Sequence, residues 1–595
     1  MSVAVHERTP ARRIPAAKRR RDVLEVDREA YPHVAKAHDY VRDVFAGKVP
    51  ACKWVKAACK RHERDLERAA RGEFGYTFDL ERAEDFCRFA ELLPHVKDHW
   101  ADRQELIVLQ PWQCFIGCAV FGWVGPTGQR RFRRVYVEVP RKCGKSTFAA
   151  TIGLYCFAAD GVHGAEVYSG ATTEEQAWEV FRPARLMVDR TPDLREAFGI
   201  EVNAKALTIL ADGSRFKPVI GKPGDGASPS CAIVDEYHEH ETDDLADTML
   251  TGMGARAMFG SPLMLYITTA GDDTAGPCYA LRNEVTQVLD GVLPGDSIFG
   301  IIYTIDESDR WTTEAALRKA NPNYGISVAP AFLLDEQQKA IADGRKQGVF
   351  KTKHLNVWVS ARAAWMNMED WKRCAKPGGL SWEECFSWAK SCDVGLDMAA
   401  KTDFCSARFV FRNGDRVRLK SLHFLPEDTA SDPAKQHYLK WVNDGHIIAT
   451  PGGEIDFGRV EAELIAKIQQ SKARNLLFDA MYGTQVAQNV AHATGINRLD
   501  MPMGQAKTFS PAMYDIEAAA KTGRIEHDDN PVDNWMMSNV VSKTDARGNQ
   551  YPRKARRENK IDGAVATILG WVPGLTATAD QPTRSIYESR GFLVL

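Results

Sequence analysis

The sequence predicts an α/β protein with two sheet-containing domains in series, and three observations predict it. After residue 106, short runs rich in Val and Ile alternate with helical segments, which is typical of a parallel sheet covered on both faces. One of these runs, VYVEV, leads through a loop containing GKST into a helical segment. A second strand-rich block begins near residue 391, and its NG and GD pairs favour hairpin turns and an antiparallel meander.

The length of 595 residues is enough for about two to four domains with filled cores. We predict five segments: a basic arm at 1–25, a helical N-terminal region at 26–95, a first α/β domain with its linker at 96–360, a second α/β domain at 361–575, and a C-terminal tail at 576–595. The arm is either an unstructured tail or a segment that binds DNA or a partner. Its charge comes from Arg12, Arg13, Lys18, Arg19, Arg20 and Arg21.

Composition excludes several classes of protein. A net charge of −2 and a pI near 6.7 mean that any contact with nucleic acid must come from local patches. The thirteen cysteines form no CxxC pair, so we expect reduced, buried thiols. The sequence has no apolar run of the ~18–20 residues needed to span a bilayer, and no export signal is recognisable. These features predict a cytoplasmic protein with no membrane partner.

The run VYVEVPRKCGKSTFAATIGL predicts a strand, a phosphate-binding loop and a helix. Gly144, Lys145, Ser146 and Thr147 form the second half of that loop. The backbone amides that enter the helix would hold phosphate oxygens, Lys145 would reach the β- and γ-phosphates of ATP, and Ser146 would ligate Mg²⁺. The position of the usual first glycine is occupied by Val139.

Two further strands complete a predicted nucleotide site. The strand in SPSCAIVDEYHEHE ends at Asp235, which would hold Mg²⁺, and Glu236 follows as the group that polarises the attacking water. The strand LMLYITTAG ends at Thr268 and Thr269, where hydroxyl groups could sense the γ-phosphate.

Three aspartates of the second domain are either strand-end turn residues or, together, candidate metal ligands of a nuclease site. Asp397 and Asp479 each follow an apolar strand, and Asp562 opens a helix. Cleavage of a phosphodiester by two metal ions needs carboxylates that converge from such elements, with Mg²⁺ or Mn²⁺ as the ion. Asp403 is an accessory candidate, whereas we expect Asp393 to be structural.

Two charged stretches near this site have open interpretations. The stretch YPRKARRENK is either a solvated loop or a surface that contacts DNA phosphates. Its cations are Arg553, Lys554, Arg556, Arg557 and Lys560. The run HDDNP is better explained as a turn before a helix than as a metal cluster.

The ordered motifs resemble those of the large subunit of tailed-phage terminases. The motifs are LQPWQ, PRKCGKST, GATTEEQAWEVF, GDGASPSCAIVDEYHEH and ITTAG, and the likeness extends from about residue 50 to 570. It implies a P-loop ATPase domain of the ASCE or RecA-like kind, followed by a ribonuclease-H-like nuclease domain with Asp397, Asp479 and Asp562 as metal ligands. It also implies that Gln113, alone or together with Gln110, contacts adenine, and that Arg141 and Lys142 are the basic residues of the phosphate loop. Thr268 and Thr269 correspond to the coupling motif, and ANP and HLNVW to the connection between domains.

The same resemblance implies a DNA-packaging motor. Such a protein translocates double-stranded DNA into a procapsid and cuts the concatemer, with the portal protein and the terminase small subunit as partners. It implies a pentameric ring on the portal, work in the cytoplasm of an infected bacterium and no stable place in the virion. A trans-acting arginine could be Arg182, Arg185 or Arg256.

Two other classes remain as alternatives. A helicase-nuclease of repair or restriction should carry a second RecA-like lobe, and a non-catalytic DNA-binding scaffold need not retain the acids. One nucleotide domain followed directly by a nuclease-like block favours the packaging motor over the helicase-nuclease, and the intact acids favour it over the scaffold.

Overall fold

The structure is a computed structural model, and it describes residues 22–220, 226–257, 261–274, 276–359, 364–398, 402–432, 436–501, 506–545, 547–554 and 559–579. Most of the basic arm, the cations Arg556 and Arg557 and the C-terminal tail from residue 580 lie outside the described residues.

Helices dominate the N-terminal region, as predicted, and they pack directly on the first sheet domain. The elements are α1 (Pro32–Phe45), α2 (Lys53–Ala70), β1 (Thr77–Phe78), α3 (Leu80–Glu91), α4 (Asp98–Asp102), α5 (Pro111–Gly122) and β2 (Trp123–Val124). The fully buried Arg131 donates a hydrogen bond of 2.8 Å to Asp65 in α2, and its guanidinium lies over the ring of Phe74. A buried cation needs such a partner, so this pair holds α2 against the first domain.

The first domain is built on one twisted sheet. Its strands are β3 (Arg134–Glu138), β4 (Glu166–Ala171), β5 (Ile200–Val202), β6 (Leu207–Ile209), β7 (Ser214–Ile220), β8 (Cys231–Asp235), β9 (Leu263–Thr268) and β10 (Ile298–Ile302). Its helices are α6 (Lys145–Ala158), α7 (Glu174–Asp189), α8 (Pro192–Phe198), α9 (Asp244–Gly252) and α10 (Pro277–Leu289). The order is β10-β3-β9-β8-β4-β7-β6-β5, with parallel pairing from β10 to β7 and antiparallel pairing at β6 and β5. Every residue of β8 and β9 is buried, as expected for central parallel strands.

Short helices connect the two domains. They are α11 (Glu314–Ala320), α12 (Pro330–Ala342), α13 (Gly344–His354), α14 (Met368–Arg373) and α15 (Trp382–Trp388). Two parts of this segment contact each other, because Trp311, just before α11, donates a 3.2 Å hydrogen bond to Glu369 in α14.

The second domain contains the predicted meander. Its strands are β11 (Ser391–Asp397), β12 (Cys405–Asn413), β13 (Arg416–Pro426), β14 (Ile448–Thr450), β15 (Asn475–Phe478), β16 (Asn497–Asp500), β17 (Ile525–His527), and the hairpin β18 (Val540–Thr544) with β19 (Gln550–Lys554). Its helices are α16 (Glu427–Ala430), α17 (Gln436–Asn443), α18 (Phe457–Ser471), α19 (Ala480–Thr494), α20 (Ala506–Lys521), α21 (Pro531–Asn539) and α22 (Asp562–Ala579). The sheet order is β14-β13-β12-β11-β15-β16, with β11, β12 and β13 antiparallel and β15 parallel to β11.

Glycines let α22 lie unusually close to the sheet. A Cβ atom at Gly395 in β11 would come within 2.0 Å of the carbonyl oxygen of Ala566 and 2.5 Å of the amide nitrogen of Gly570, both in α22. Only glycine permits this approach, and it brings the first residue of α22, Asp562, down to the strand ends.

Two expectations from composition can be compared with the structure. All thirteen cysteines lie in the described residues, where they are buried, as expected, and none is in a disulfide bond. None of the helices in the described ranges is both long and apolar enough to cross a bilayer.

Candidate nucleotide site and nuclease site

The loop between β3 and α6 has the backbone shape of a phosphate-binding loop. Gly144 precedes α6 with φ 78°, in the left-handed region that glycine adopts at little cost, and Lys142 also has a positive φ of 68°. Val139 stands in place of a first glycine and donates its amide hydrogen to the carbonyl of Thr268 in β9. The loop therefore starts as a continuation of the sheet and turns only at Lys142 to Gly144.

Two side-chain contacts join this loop to the end of β8. Lys145 is buried, and its Nζ lies 2.8 Å from Oε1 of Glu236. Ser146 donates its hydroxyl hydrogen to Oδ2 of Asp235 at 3.2 Å. These are the four residues that the sequence assigned to phosphate, Mg²⁺ and the attacking water, and the fold brings them together.

The two neighbouring acids are shifted in opposite directions. Burial and the adjacent charge of Glu236 raise the pKa of Asp235 to about 6. For Glu236, burial acts upward, but Lys145 and His238 outweigh it and hold the pKa of this carboxyl below its usual range. Glu236 is therefore the member of the pair that stays ionised when the pH is lowered. Because a cation near Asp235 would favour its ionised form, the hydroxyl and carboxylate oxygens of Ser146 and Asp235 fit a hard divalent ion.

His238 is a site residue that the sequence analysis missed. Its Nδ1 lies 3.2 Å from Oε2 of Glu236 and 3.1 Å from Oγ1 of Thr268, and its backbone N–H donates to the same threonine at 3.0 Å. Thr269 donates to Oε2 of Glu236 at 3.5 Å. Burial lowers the pKa of His238, but hydrogen bonds to Glu236 and Glu239 reverse the shift, so the net pKa is raised. The histidine in the DEYH run was the available signal.

The ANPNYG segment supports the phosphate loop, in addition to the role in the connection between domains that the sequence predicts. Asn323 donates to the carbonyl of Cys143 at 3.0 Å and accepts a 2.7 Å hydrogen bond from the indole of Trp112. Ser327 donates to the carbonyl of Lys142 at 2.7 Å. Sequence reasoning expected this segment in the connection between domains, and the structure places it against the loop.

The remaining predicted nucleotide contacts lie around this loop. Gln113 is buried in the first turn of α5, where its side-chain oxygen accepts a 2.9 Å hydrogen bond from the amide of Gln110. Arg141 is partly buried and its amide donates to the carbonyl of Lys353, whereas Lys142 is exposed. Thr147 lies in the first turn of α6.

The segment HLNVW connects the end of β9 to the second domain. Asn356 accepts a 2.6 Å hydrogen bond from the amide of Ala270 and donates to the carbonyl of Tyr303 at 2.7 Å. Trp358 donates to the buried Glu138, the last residue of β3, at 3.3 Å. The chain that leads to the second domain is thus tied to two strand ends of the nucleotide site.

In the second domain, the fold brings together the three predicted aspartates. Asp397 ends β11, and Asp479 directly follows β15, which pairs with β11 in parallel so that Leu396 lies opposite Phe478. Asp479 caps α19 by accepting the amide hydrogen of Met481. Asp562 arrives from α22, which lies against β11.

The charges of these acids interact. Burial, followed by the charges of Asp562, Asp479 and Asp403, raises the pKa of Asp397 well above its ordinary value. Burial and the charge of Asp403 raise the pKa of Asp562 to about 6. Such a cluster of mutually repelling carboxylates matches the chemistry of a divalent cation site. As placed in this structure, no three His, Cys, Asp or Glu side chains of the described ranges already enclose a single point for an ion.

Asp403 and Asp393 have different surroundings. Lys560 donates to Asp403 at 2.6 Å beside the acid cluster, so one cation of the basic stretch reaches the site. The positive charge of Lys554 is also close enough to offset part of the rise in the pKa of Asp397 and of Asp562. Asp393 accepts hydrogen bonds of 2.7 Å from Arg412 and from Asn475, which agrees with the structural role expected for it.

A buried polar network lies behind Asp562. Arg408 donates to Asp533, which also accepts a 2.6 Å hydrogen bond from Ser421 and lies 3.0 Å from Nε2 of His423. Burial acts upward on Asp533, but Arg408 and His423 hold its pKa below the usual range. Sequence reasoning did not single out these residues. It correctly expected the preceding HDDNP run to be a turn, because Asn530 caps α21.

The three candidate trans-acting arginines differ in their exposure and in the hydrogen bonds that their side chains make within the chain. Arg256 donates to the carbonyls of Ser228 and Gly164, near the amino end of β4 and away from the nucleotide edge. Arg182 is exposed on α7, and Arg185 on the same helix donates to the carbonyl of Asn203 at 3.1 Å.

Taken together, the fold and the two sites define a protein that combines a P-loop ATPase with a nuclease of ribonuclease-H-like architecture. Comparison with known proteins agrees. Residues 111–287 match the model of the ATPase domain of the terminase large subunit, and residues 293–573 match that of its endonuclease domain.

Two curated proteins and one solved structure are similar to this chain. Protein YmfN of Escherichia coli (strain K12) is 42% identical over 363 residues, which cover 58% of this chain and 78% of YmfN. The terminase large subunit of Enterobacteria phage HK97 is 26% identical over 443 residues, 73% of this chain and 85% of that protein. The crystal structure of the HK97 bacteriophage large terminase has a TM-score of 0.41 and 24% identity, and covers 83% of this chain and 99% of that one.

The chain therefore belongs to the terminase large-subunit family. It is an ATPase and a metal-dependent endonuclease that acts on DNA in the viral packaging motor, and this decides against the helicase-nuclease and the inert scaffold.

Proposed function

We propose that the contact between the phosphate loop and the end of β8 is the ATP-hydrolysing centre. Lys145 binds the β- and γ-phosphates, and the amides from Gly144 to Thr147 hold phosphate oxygens at the start of α6. Glu236, which its lowered pKa keeps ionised, orients and polarises the attacking water, and Lys145 lies 2.8 Å from its carboxylate. Ser146 and Asp235 hold Mg²⁺, which neutralises charge that develops on the phosphates.

Further contacts complete the proposed ATP site. Gln113 contacts the adenine, and Arg141 and Lys142 add positive charge at the loop. Thr268 and Thr269 sense the γ-phosphate through their contacts with His238 and Glu236.

We propose that Asp397, Asp479 and Asp562 are the metal ligands and catalytic acids of the nuclease. Their placement on adjacent strand ends and on α22, with the raised pKa values of Asp397 and Asp562, supports this assignment. The ion, Mg²⁺ or Mn²⁺, lowers the pKa of a bound water and stabilises the leaving oxygen. Asp403 is an accessory acid, and Lys554 and Lys560 contact DNA phosphates.

For the domain limits, we propose 26–95 for the helical region, 96–360 for the ATPase domain with its linker and 361–575 for the nuclease domain. The endonuclease match begins at residue 293, yet β10 pairs with β3 in the first sheet, which supports the later boundary. We also propose that the motor works as a pentameric ring on the portal protein of the procapsid, with the small subunit as partner, in the cytoplasm of the infected host.

An assay of two activities tests these roles. ATP turnover and cutting of plasmid DNA are measured for the wild type beside Lys145→Ala, Glu236→Ala and Asp479→Ala. The first two should lose ATP turnover by about 10²-fold or more and keep cutting, and Asp479→Ala should do the reverse. A single substitution that abolishes both activities in a folded protein would contradict the separation of the sites.

A further inference from the structure

We propose that His238 is a positioning residue of the ATPase, which holds Glu236 through the carboxylate oxygen that Lys145 leaves free. The inference rests on the proposed role of Glu236 in ATP hydrolysis. It assigns to the histidine of the DEYH run a function beyond packing in the core.

Glu236 needs side-chain partners to be held in place. Its backbone has φ 45°, in the left-handed region that a residue with a side chain adopts only when its surroundings impose it. Its two carboxylate oxygens have separate partners: Oε1 lies 2.8 Å from Lys145, whereas Oε2 lies 3.2 Å from His238 and 3.5 Å from Thr269.

The partners of the two carboxylate oxygens of Glu236 differ in whether they also bind the nucleotide. Lys145 is the side chain that binds the phosphates in the proposed site, so its hydrogens are shared with the nucleotide. His238, in the turn that follows β8, has no contact with the nucleotide in the proposed site. The histidine side therefore supplies an orientation of Glu236 that does not depend on how Lys145 is engaged.

His238 is itself firmly placed. It is 2% exposed, its backbone N–H donates to Thr268, and its Nε2 lies 3.1 Å from Glu239. A Cβ at Gly271 would lie 3.2 Å from the Cβ of His238 and 3.1 Å from the ring of Trp358, so the strand end and the linker pack on it closely. A side chain fixed at this many points can orient a neighbouring carboxylate within the tolerance that catalysis requires.

The two amides that resemble histidine provide a matched pair of variants. The amide nitrogen of asparagine lies where Nδ1 of His238 lies, and that of glutamine lies where Nε2 lies. His238→Asn thus keeps a donor toward Glu236, whereas His238→Gln keeps one toward Glu239. His238→Ala keeps neither.

The experiment measures kcat and KM for ATP with the full-length chain. We expect His238→Ala and His238→Gln to lower kcat by about 10- to 100-fold with KM changed less than about twofold, and His238→Asn to stay within about fivefold of wild type. Plasmid cutting should be unchanged in all three, because the nuclease site lies in the other domain. The nearly unchanged KM for ATP serves as the check that the ATPase domain is folded.

The outcomes separate this inference from the proposed function. If Glu236→Ala turns over ATP like wild type, the role of Glu236 is wrong and the inference falls with it. If Glu236→Ala is inactive while His238→Ala retains normal kcat, only the positioning role is wrong. Equal losses in the Asn, Gln and Ala variants would also contradict it, since they would indicate a packing role.

Discussion

At the scale of single residues, the carboxylates of the nuclease domain are of two opposite kinds. Asp562 and Asp397 lie among other acids and have raised pKa values, whereas Asp533 lies against Arg408 and His423 and has a lowered one. Removing the charge should therefore have opposite effects on stability. The first kind destabilises the folded protein at neutral pH and is retained for catalysis, and the second kind stabilises it.

We predict that Asp562→Asn unfolds less readily than wild type at pH 7 in a chelating buffer, by about 1–2 kcal/mol. A pKa of about 6 in the folded state, against an ordinary value of 3.8, means that the ionised Asp562 costs the folded protein roughly 3 kcal/mol. The Asn variant also loses the favourable interaction of a negative charge with the start of α22, about 1 kcal/mol, which reduces the expected gain. Urea unfolding of the nuclease domain measures the difference. Cutting should be lost in the same variant.

The pH dependence has a definite sign. Because the folded state binds the proton of Asp562 more tightly than the unfolded state, stability falls as pH rises from about 4 to 6, and the cost is complete above 6. The gain in Asp562→Asn should thus vanish near pH 4. A variant that is no more stable than wild type at pH 7 would contradict the raised pKa of Asp562.

Asp533→Asn is the control at an aspartate of the opposite kind, whose pKa is lowered. It leaves Arg408 without its carboxylate in the core and should destabilise the domain by about 3 kcal/mol.

At the scale of elements, the placement of Asp562 depends on how closely α22 lies on β11. Gly395 lets the backbones of the helix and the strand approach, and Gly570 faces it from the helix. Neither a backbone carbonyl nor a backbone amide can move aside as a side chain can.

We predict that Gly395→Ala pushes α22 away from the sheet and displaces Asp562. DNA cutting should fall by at least about 10²-fold, the nuclease domain should lose about 3 kcal/mol of stability, and ATP turnover should remain. The measurements are plasmid cutting, ATP turnover and thermal unfolding of one preparation. Gly458→Ala in α18 is the control, because its added Cβ would meet only the Asp456 side chain, at 3.2 Å. Full cutting by Gly395→Ala would contradict the argument.

At the scale of the whole molecule, a short segment joins the ATP site to the nuclease domain. Asn356 bonds to the end of β9, and Trp358 bonds to Glu138 at the end of β3 and lies near His238 across Gly271. A shift of these strand ends on hydrolysis would be transmitted directly to the chain that enters the second domain.

We predict that Trp358→Ala separates ATP hydrolysis from DNA movement. ATP turnover should stay within about threefold of wild type, while the amount of DNA packaged per ATP should fall by about fivefold or more, because the linker loses its contact with the site. DNase-protected DNA per ATP hydrolysed, in a reaction with cognate procapsids, measures this. Trp358→Phe keeps the ring and should lose less. An unchanged ratio in Trp358→Ala would place the coupling elsewhere.

The sequence by itself determined that there are two sheet-containing domains, the order of these domains along the chain, and most of the candidate site residues. Strand-ending acids and a GKST loop are local patterns, since each depends on a few adjacent residues and on the alternation of apolar runs. The antiparallel meander after residue 391 and the helix opened by Asp562 could be predicted in the same way.

Only the tertiary structure decided which distant residues support those patterns. Asn323 braces the phosphate loop from 180 residues away, and Asp533 pairs with Arg408 across 125 residues. The contacts of His238 form only because β8 and β9 lie side by side. The need for glycine at position 395 arises only because α22 lies across β11. Such contacts form between chain segments whose spacing follows no sequence period, because packing, rather than local backbone preference, selects them.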